Sequence, residues 1–388
     1  MKQELIGGNG RKILQTGRLE LREMSVADFS SLCKMLQDIE VMYAWEHAFS
    51  DNEVQDWIAR NMVRYRKDGC GYWLAFERES GICVGQIGLL KEEIFGVNHI
   101  GIGWILAKKY WGMGYAVEGA AACLDYAFNK LNASRVIADI RPHNISSRLV
   151  AERIGMHEQG CYDKIYNGVV MPHLLYVART PRIEVKEYDA VWSEWFAQLN
   201  ELLQPVIKRY GGRVEHVGST SVTGLIAKPV IDADYILPEP SVWQGVKTAL
   251  EEIGFFHRGD GGLKGREMFT ESLHLPFRHN LYVCFADSLH LKNHLMVRDF
   301  LSDNPEWVYR YGELKMRLAA QYPEDIDAYC AGKSALLAEI LSASGFSDTD
   351  VAEIYKLNTG SCDRNKNGGE RVNSQPFLFY LKIGSLDL

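Results

Sequence analysis

Nowhere in its 388 residues does the chain run through the roughly 18 consecutive apolar residues that a membrane-spanning helix needs, so no transmembrane anchor is expected. The first fifteen residues are polar, with Gly7, Gly8 and Gly10, and lack the apolar centre of a secretory signal. Cysteine is thinly spread: the eight positions 33, 70, 83, 123, 161, 284, 330 and 362 contain no close pair and no neighbouring histidine at metal-ligand spacing. That scatter argues against a disulfide framework and fits reduced thiols in the cytoplasm. Positive charge is also short. A formal charge of -7 and a pI near 5.9, with no basic tract interleaved with aromatics, leave nothing that points to nucleic acid or to an anionic membrane surface. No internal repeat is visible.

What is present is ample material for folded cores. The 47% hydrophobic and 24% charged composition is globular, and the length suggests two or three units at about 150 residues each. A polar, charged segment containing Pro181 separates two strongly patterned stretches. The expected organisation is a lead at 1–15, a first domain at 16–180, a linker at 181–187, a second domain at 188–345 and a polar tail at 346–388. The Asn-, Gly- and Ser-rich run 363–375 is expected to be disordered; the apolar run 376–383 is too short for a domain.

The first domain mixes strand-like segments (19–22, 72–77, 82–89, 100–106, 136–140, 174–178) with helical spacing (27–36, 51–65, 116–131, 146–154), an α/β pattern. Strand 102–106 runs through a short loop into the helix near Tyr115. Gly112 and Gly114 let that loop turn tightly, so that amide groups and the positive helix end converge on an anion such as a pyrophosphate.

Five segments in one order, Thr16-Gly-Arg-Leu-Glu-Leu-Arg22, Gly71-Tyr-Trp-Leu-Ala75, Val84-Gly-Gln-Ile-Gly88, Lys109-Tyr-Trp-Gly-Met-Gly114 and Asn144-Ile-Ser-Ser147 with Glu152-Arg-Ile-Gly-Met156, resemble the GNAT N-acetyltransferases, in particular the RimJ/RimL-like branch. The resemblance implies acetyl-CoA as cofactor and a primary amine, of a small molecule or a protein N-terminus, as substrate. It places the pyrophosphate on the loop Lys109, Gly112, Met113, Gly114, Tyr115 and Ala116, with Lys109 departing from the usual first residue. The pantetheine arm would pair with the backbone of Ile105, Leu106 and Ala107 as an added strand. Asn144 and Ser147 match the family's Asn-x-x-Ser, and Asn144 is equally suited to cap a helix. The glutamate that many relatives carry three residues before the strand tryptophan is Gly101 here. His99 shares the face of Gly101 by strand alternation and is one candidate base; Glu93 and Glu92 are others. Tyr166, Tyr162 or Tyr176 is placed to protonate the departing thiolate.

In the second domain the strand Pro229-Val-Ile-Asp-Ala-Asp-Tyr puts Asp232 and Asp234 on one face. Two such acids repel unless a cation sits between them, and Mg is the natural one. Gly218 and Ser219 form a small turn suited to phosphates. The order Gly-Ser, then Asp-x-Asp, resembles the nucleotidyltransferase superfamily typified by DNA polymerase β. The longer match, His216-Val-Gly-Ser-Thr-Ser221 through Lys228 to Asp234, then Arg278-His-Asn-Leu-Tyr-Val283 and His294-Leu-Met-Val-Arg298, is similar to the GrpB family. It implies a nucleoside triphosphate held by Gly218, Ser219, Thr220, Lys228, His279, Arg298, Lys315 and Lys333, with Asp232 and Asp234 on the metal. The third acid of a two-metal cage is missing from strand 280–285. Two readings stand beside bifunctional catalysis: pockets that sense metabolites without turnover, and nucleotidyl transfer as the main reaction.

Overall fold

A computed structural model describes residues 10–359 apart from 167, 262 and 263. The chain divides after Thr180 into two compact units, each a mixed α/β fold.

The first unit is an eight-stranded sheet in the order β1-β2-β3-β4-β5-β6-β8-β7. Its strands are β1 (Lys12–Gln15), β2 (Leu19–Glu23), β3 (Tyr72–Glu77), β4 (Cys83–Ile94), β5 (Val97–Leu106), β6 (Arg135–Ile140), β7 (His157–Tyr166) and β8 (Val169–Arg179). The helices are α1 (Phe29–Leu36), α2 (Asp51–Lys67), α3 (Tyr115–Asn129) and α4 (Ile145–Arg153). Apolar residues of alternate strand positions go to opposite faces. Ile87, Leu89 and Ile102 pack beneath Ala120, Cys123 and Leu124 of α3. Leu74, Leu90 and Ile105 pack beneath Leu32, Val54, Trp57 and Ile58 of α1 and α2. Helix α2 starts on a capping box, in which Ser50 Oγ accepts from Glu53 N and the Glu53 carboxylate accepts from Ser50 N at 2.8 Å; such a cap contributes about 1 kcal/mol.

One place in the sheet is not continuous. Strands β5 and β6 run parallel and are in register at Gly101 and Ile137, whereas β5 stays paired with β4 out to Leu106. Beyond Gly101 the two central strands part, leaving the β6-side edge of β5 open.

The second unit has a four-stranded sheet in the order β11-β12-β10-β9, from β9 (Arg213–Val217), β10 (Val230–Ile236), β11 (Arg266–Phe269) and β12 (Arg278–Cys284). Helices α5 (Val191–Tyr210) and α6 (Trp243–Glu252) bury Leu199, Leu203, Val246 and Leu250 with Ala233 and Tyr235 of β10. Helices α7 (Leu289–Asp303), α8 (Pro305–Gln321), α9 (Ile326–Ala343) and α10 (Asp348–Thr359) form a helical layer of their own.

Three segments depart from the sequence reading. The expected lead at 1–15 contains β1, whose Leu14 pairs with Leu21. The expected linker at 181–187 is structured: Ile183 is buried, its N–H donates to Pro323 O at 2.7 Å, and Lys186 pairs with Ala227. Its β-branched residues find an apolar cluster with Leu318, Tyr329 and Cys330. The expected polar tail begins with α10, anchored by buried Ile354 beside Phe346. The runs 363–375 and 376–383 lie outside the described residues.

Candidate functional sites

The parting of β5 and β6 opens a cleft of about 270 Å³ in the first unit. One wall is Trp104, Ile105 and Leu106 of β5; the opposite wall is Asn144, Ser147, Val150 and Arg153 from α4 and its cap. Its floor is the turn Tyr110, Trp111, Gly112, Gly114 and the first residues of α3, Tyr115 and Ala116. Gly112 and Gly114 both sit at positive φ, 75° and 81°, where a side chain is strained. Gly114 is the N-cap of α3 and offers no side-chain acceptor to the helix's first amides. Those amides are what an anion would use.

Most of the expected cofactor residues meet here, with some exceptions. Asn144 caps α4, its Oδ1 accepting from Ser147 N at 3.1 Å, while Ser147 Oγ accepts from the Trp104 indole at 3.2 Å. Ala107 spends its N–H on Val84 O and its carbonyl on Tyr110 N, so it offers the cleft no strand edge. Leu106 O already accepts from the Trp111 indole at 2.8 Å. Lys109 is exposed, its ammonium lying over the Tyr110 ring at 4.7 Å, and it does not line the cleft. Arg153, not anticipated, is the lining cation instead. Met113 is exposed, and its carbonyl accepts from Arg18.

The carboxyl nearest Gly101 comes from the neighbouring strand. A Cβ built on Gly101 would lie 3.0 Å from the carboxyl carbon of Glu92, so the glycine leaves the space that this carboxyl fills. Two residues on, Gly103 likewise makes room for the Tyr72 hydroxyl. Lys164 bridges Glu92 at 3.8 Å and Asp139 at 3.0 Å. Burial is the largest influence on Glu92 and, with Asp139 beside it, outweighs the attraction of Lys164, so its pKa is pushed up to about 7. The other acid–base candidates fare differently. His99 is buried, and its Nδ1 lies 3.4 Å from the Arg135 guanidinium. Glu93 is exposed one residue past Glu92, hence on the opposite face. The Tyr176 hydroxyl is engaged by Arg148 and Glu152. Tyr162 lies near Asp139 and Glu92, and burial followed by those charges raises its pKa. Tyr166 ends β7 opposite Val169.

In the second unit Ser219, Thr220, Lys228, Asp232, Lys315, Tyr329 and Lys333 surround a recess of about 10 Å³, room for one water. Gly218 sits at φ 73°, and a Cβ there would fall 2.5 Å from Asp232 Oδ2. Lys315 and Lys333 are almost fully buried, contrary to a solvated helix face. The Lys315 ammonium donates to Ser219 Oγ at 2.5 Å and to Ile226 O at 2.8 Å. Four of the expected residues are engaged with other protein groups. His279 is spent on structure, Nε2 accepting from Ser272 N at 2.9 Å and Nδ1 meeting Phe277 O at 3.1 Å. Arg298 pairs with Glu215 at 2.9 Å and donates to His216 O. Asp232 accepts from Asn280 at 2.7 Å, while Asp234 is fully buried and held by His294 at 2.8 Å. These two acids, with no carboxylate on β12, do not fit a Mg centre of the two-metal type.

Comparison with known proteins places this geometry. A family model described as "Acetyltransferase (GNAT) domain" matches residues 18–157, and one described as "GrpB protein" matches residues 182–343. "Uncharacterized protein YkkB" of Bacillus subtilis is 35% identical over 150 residues, 38% of this chain and 87% of that protein. "Uncharacterized N-acetyltransferase YnaD" of the same organism is 31% identical over 152 residues, 39% of this chain and 86% of that one. "Glutamate-rich protein GrpB" of Alkalihalophilus pseudofirmus is 30% identical over 158 residues, 39% of this chain and 89% of its own. With cleft, turn and recess lying inside the matched ranges, this chain belongs to the GNAT acetyltransferases through its first unit and to the GrpB family through its second.

Proposed function

We propose that the first unit transfers the acetyl group of acetyl-CoA to a primary amine, with Glu92 as general base. The observation that carries this reading is the open edge of β5 leading into the Gly112–Gly114 turn and the uncapped start of α3. The pyrophosphate would take the α3 amides and the pantetheine arm the edge at Trp104 and Ile105. The thioester then lies toward Gly101, where the strands part.

Attack on a thioester needs a neutral amine, and a primary amine arrives protonated at neutral pH. A carboxyl poised near 7 is matched to taking that proton. Positioning both reactants in the cleft contributes the remainder of the rate.

In the second unit the buried ammonium groups of Lys315 and Lys333, with Lys228 and the Ser219 turn, are proposed to bind a phosphate group of a nucleoside triphosphate. Entry requires Lys315 to leave Ser219.

Calorimetric titration of acetyl-CoA tests the first reading. Saturable binding by the wild-type protein and loss of at least tenfold in affinity for Gly112→Glu, which sets a negative side chain at positive φ on the turn, are expected. Wild-type protein that does not bind, or a variant that binds equally well, overturns it.

A further inference from the structure

Asp234, excluded above from a shared site with Asp232, sits in a second constellation beneath α7. One ligand atom each from Asp234, Cys284 and His290 lies within 4.8 Å of the others, and all three residues are buried. They converge from three elements. Asp234 is central in β10 and pairs with Tyr282, Cys284 ends β12 two positions past that tyrosine, and His290 lies in the first turn of α7. Asp234 Oδ1 and His290 Nε2 are both shut off from solvent, with no partner for the imidazole nitrogen and only the Cys284 thiol at hand for the carboxylate. Polar atoms of buried side chains are rarely left so, and their pairing in one spot asks for a missing partner.

The surroundings hold the three groups in place. His294, one turn after His290, meets Asp234 Oδ2 through Nδ1 at 2.8 Å, which fixes that carboxylate beside Cys284 and His290. The Tyr282 ring packs against His290 and His294 at 5.3 and 5.8 Å. The Arg266 guanidinium lies over the same ring at 5.1 Å and gives Nη2 to Met268 Sδ at 3.2 Å.

We propose that Asp234, Cys284 and His290 bind a divalent transition-metal ion of the zinc class. Carboxylate oxygen, thiolate sulfur and imidazole nitrogen are a borderline donor set that suits zinc and does not suit magnesium or calcium. One carboxylate and one thiolate neutralise the ion's two charges, the Arg266 guanidinium being spread over the Tyr282 ring beside them, and the thiol proton is released to solvent on binding. Three protein ligands leave one tetrahedral position for water. His294 is the positioning residue that orients Asp234. The ion ties β10, β12 and the start of α7 together. This assignment is independent of the acetyl-transfer reading and of the lysine recess.

Metal content of the tag-free full-length protein, produced with zinc in the medium and dialysed, tests it. About one zinc per chain is expected, with Cys284→Ala and His290→Phe each losing it and His294→Phe weakening it by about 10- to 100-fold. Cobalt in place of zinc should give the near-ultraviolet charge-transfer band of a cobalt–thiolate bond, absent from Cys284→Ala. A chelator should lower the melting temperature of the wild-type protein and zinc should restore it, a readout that stands even if a variant fails to fold. Wild-type protein that stays metal-free and melts unchanged with zinc or chelator overturns the proposal in favour of a metal-free polar cluster. Metal retained by both ligand variants overturns it in favour of binding elsewhere.

Discussion

Replacing Glu92 by Gln keeps the shape of the side chain that fills the space over Gly101 and removes its ability to take a proton. General-base catalysis is typically worth about 10²- to 10⁴-fold, or roughly 3–5 kcal/mol of barrier, so kcat/KM should fall within that range. The pH dependence separates this loss from a general loss of structure. The base acts as carboxylate, and with a pKa of about 7 half of it is ionised at neutral pH. The wild-type rate should therefore rise about tenfold per unit up to pH ~7, and the limb due to Glu92 should vanish in Glu92→Gln. Two neighbours give the sign. Asp139 raises the pKa, so Asp139→Asn should shift the limb to lower pH; Lys164 lowers it, so Lys164→Met should shift it to higher pH. Lys164 is nearly half exposed, so solvent screening limits its shift. The assay is thiol release from acetyl-CoA with a saturating amine between pH 5.5 and 9. Refutation would be a Glu92→Gln enzyme with the wild-type rate and limb, or Asp139 and Lys164 variants that move the limb in the same direction.

The same carboxyl ties stability to pH. Its folded pKa stands above the ordinary 4.5, so the folded state holds the proton more tightly, and stability should decline by about 3 kcal/mol as pH rises from ~4.5 to ~7; denaturant midpoints of Glu92→Gln should lack that decline. Asp28 behaves oppositely. Burial raises its pKa, but hydrogen bonds from Arg22 and Ser25 more than offset this and leave it lowered, so its contribution is present at neutral pH and lost as pH falls through the depressed value. Asp28→Asn strands the buried Arg22 guanidinium and should cost about 3–5 kcal/mol in urea unfolding at pH 7. In the second unit, Lys333→Met should abolish the thermal shift produced by nucleoside triphosphates in the wild-type protein; an equal shift in both would remove the recess as the phosphate site.

Local chemistry was legible in the sequence; partners made by the fold were not. Gly112 and Gly114 announce a turn because few other residues adopt positive φ, and the apolar stripe of α3 announces a helix on a sheet. Strand β7, His-Glu-Gln-Gly-Cys-Tyr-Asp-Lys-Ile-Tyr, carries no clean alternation because it lies at the sheet's edge, and β1 is hidden for the same reason. Glu92 stood beside Glu93 as an equal candidate. Only the antiparallel register sets Glu92, and not Glu93, opposite His99 and diagonal to Gly101. Asp232 and Asp234 look like a cation pair because alternation puts them on one face, yet helix α7 brings His294 to Asp234 across 60 residues of sequence. Lys109 matches its motif by position, but its side chain lies on the adjacent Tyr110 ring, and the cleft takes its cation from Arg153.

The most direct measurement is a single turnover experiment. Purified protein is mixed with acetyl-CoA and a panel of small amines and peptides with free N-termini, and the acetyl group is followed by mass spectrometry while free thiol is counted. Stoichiometric thiol release is expected, with the acetyl group recovered on an amine nitrogen, and both suppressed in Glu92→Gln and in Gly112→Glu. Tight binding of acetyl-CoA with no amine acetylated and no thiol released would contradict it and leave the first unit a sensor of the cofactor.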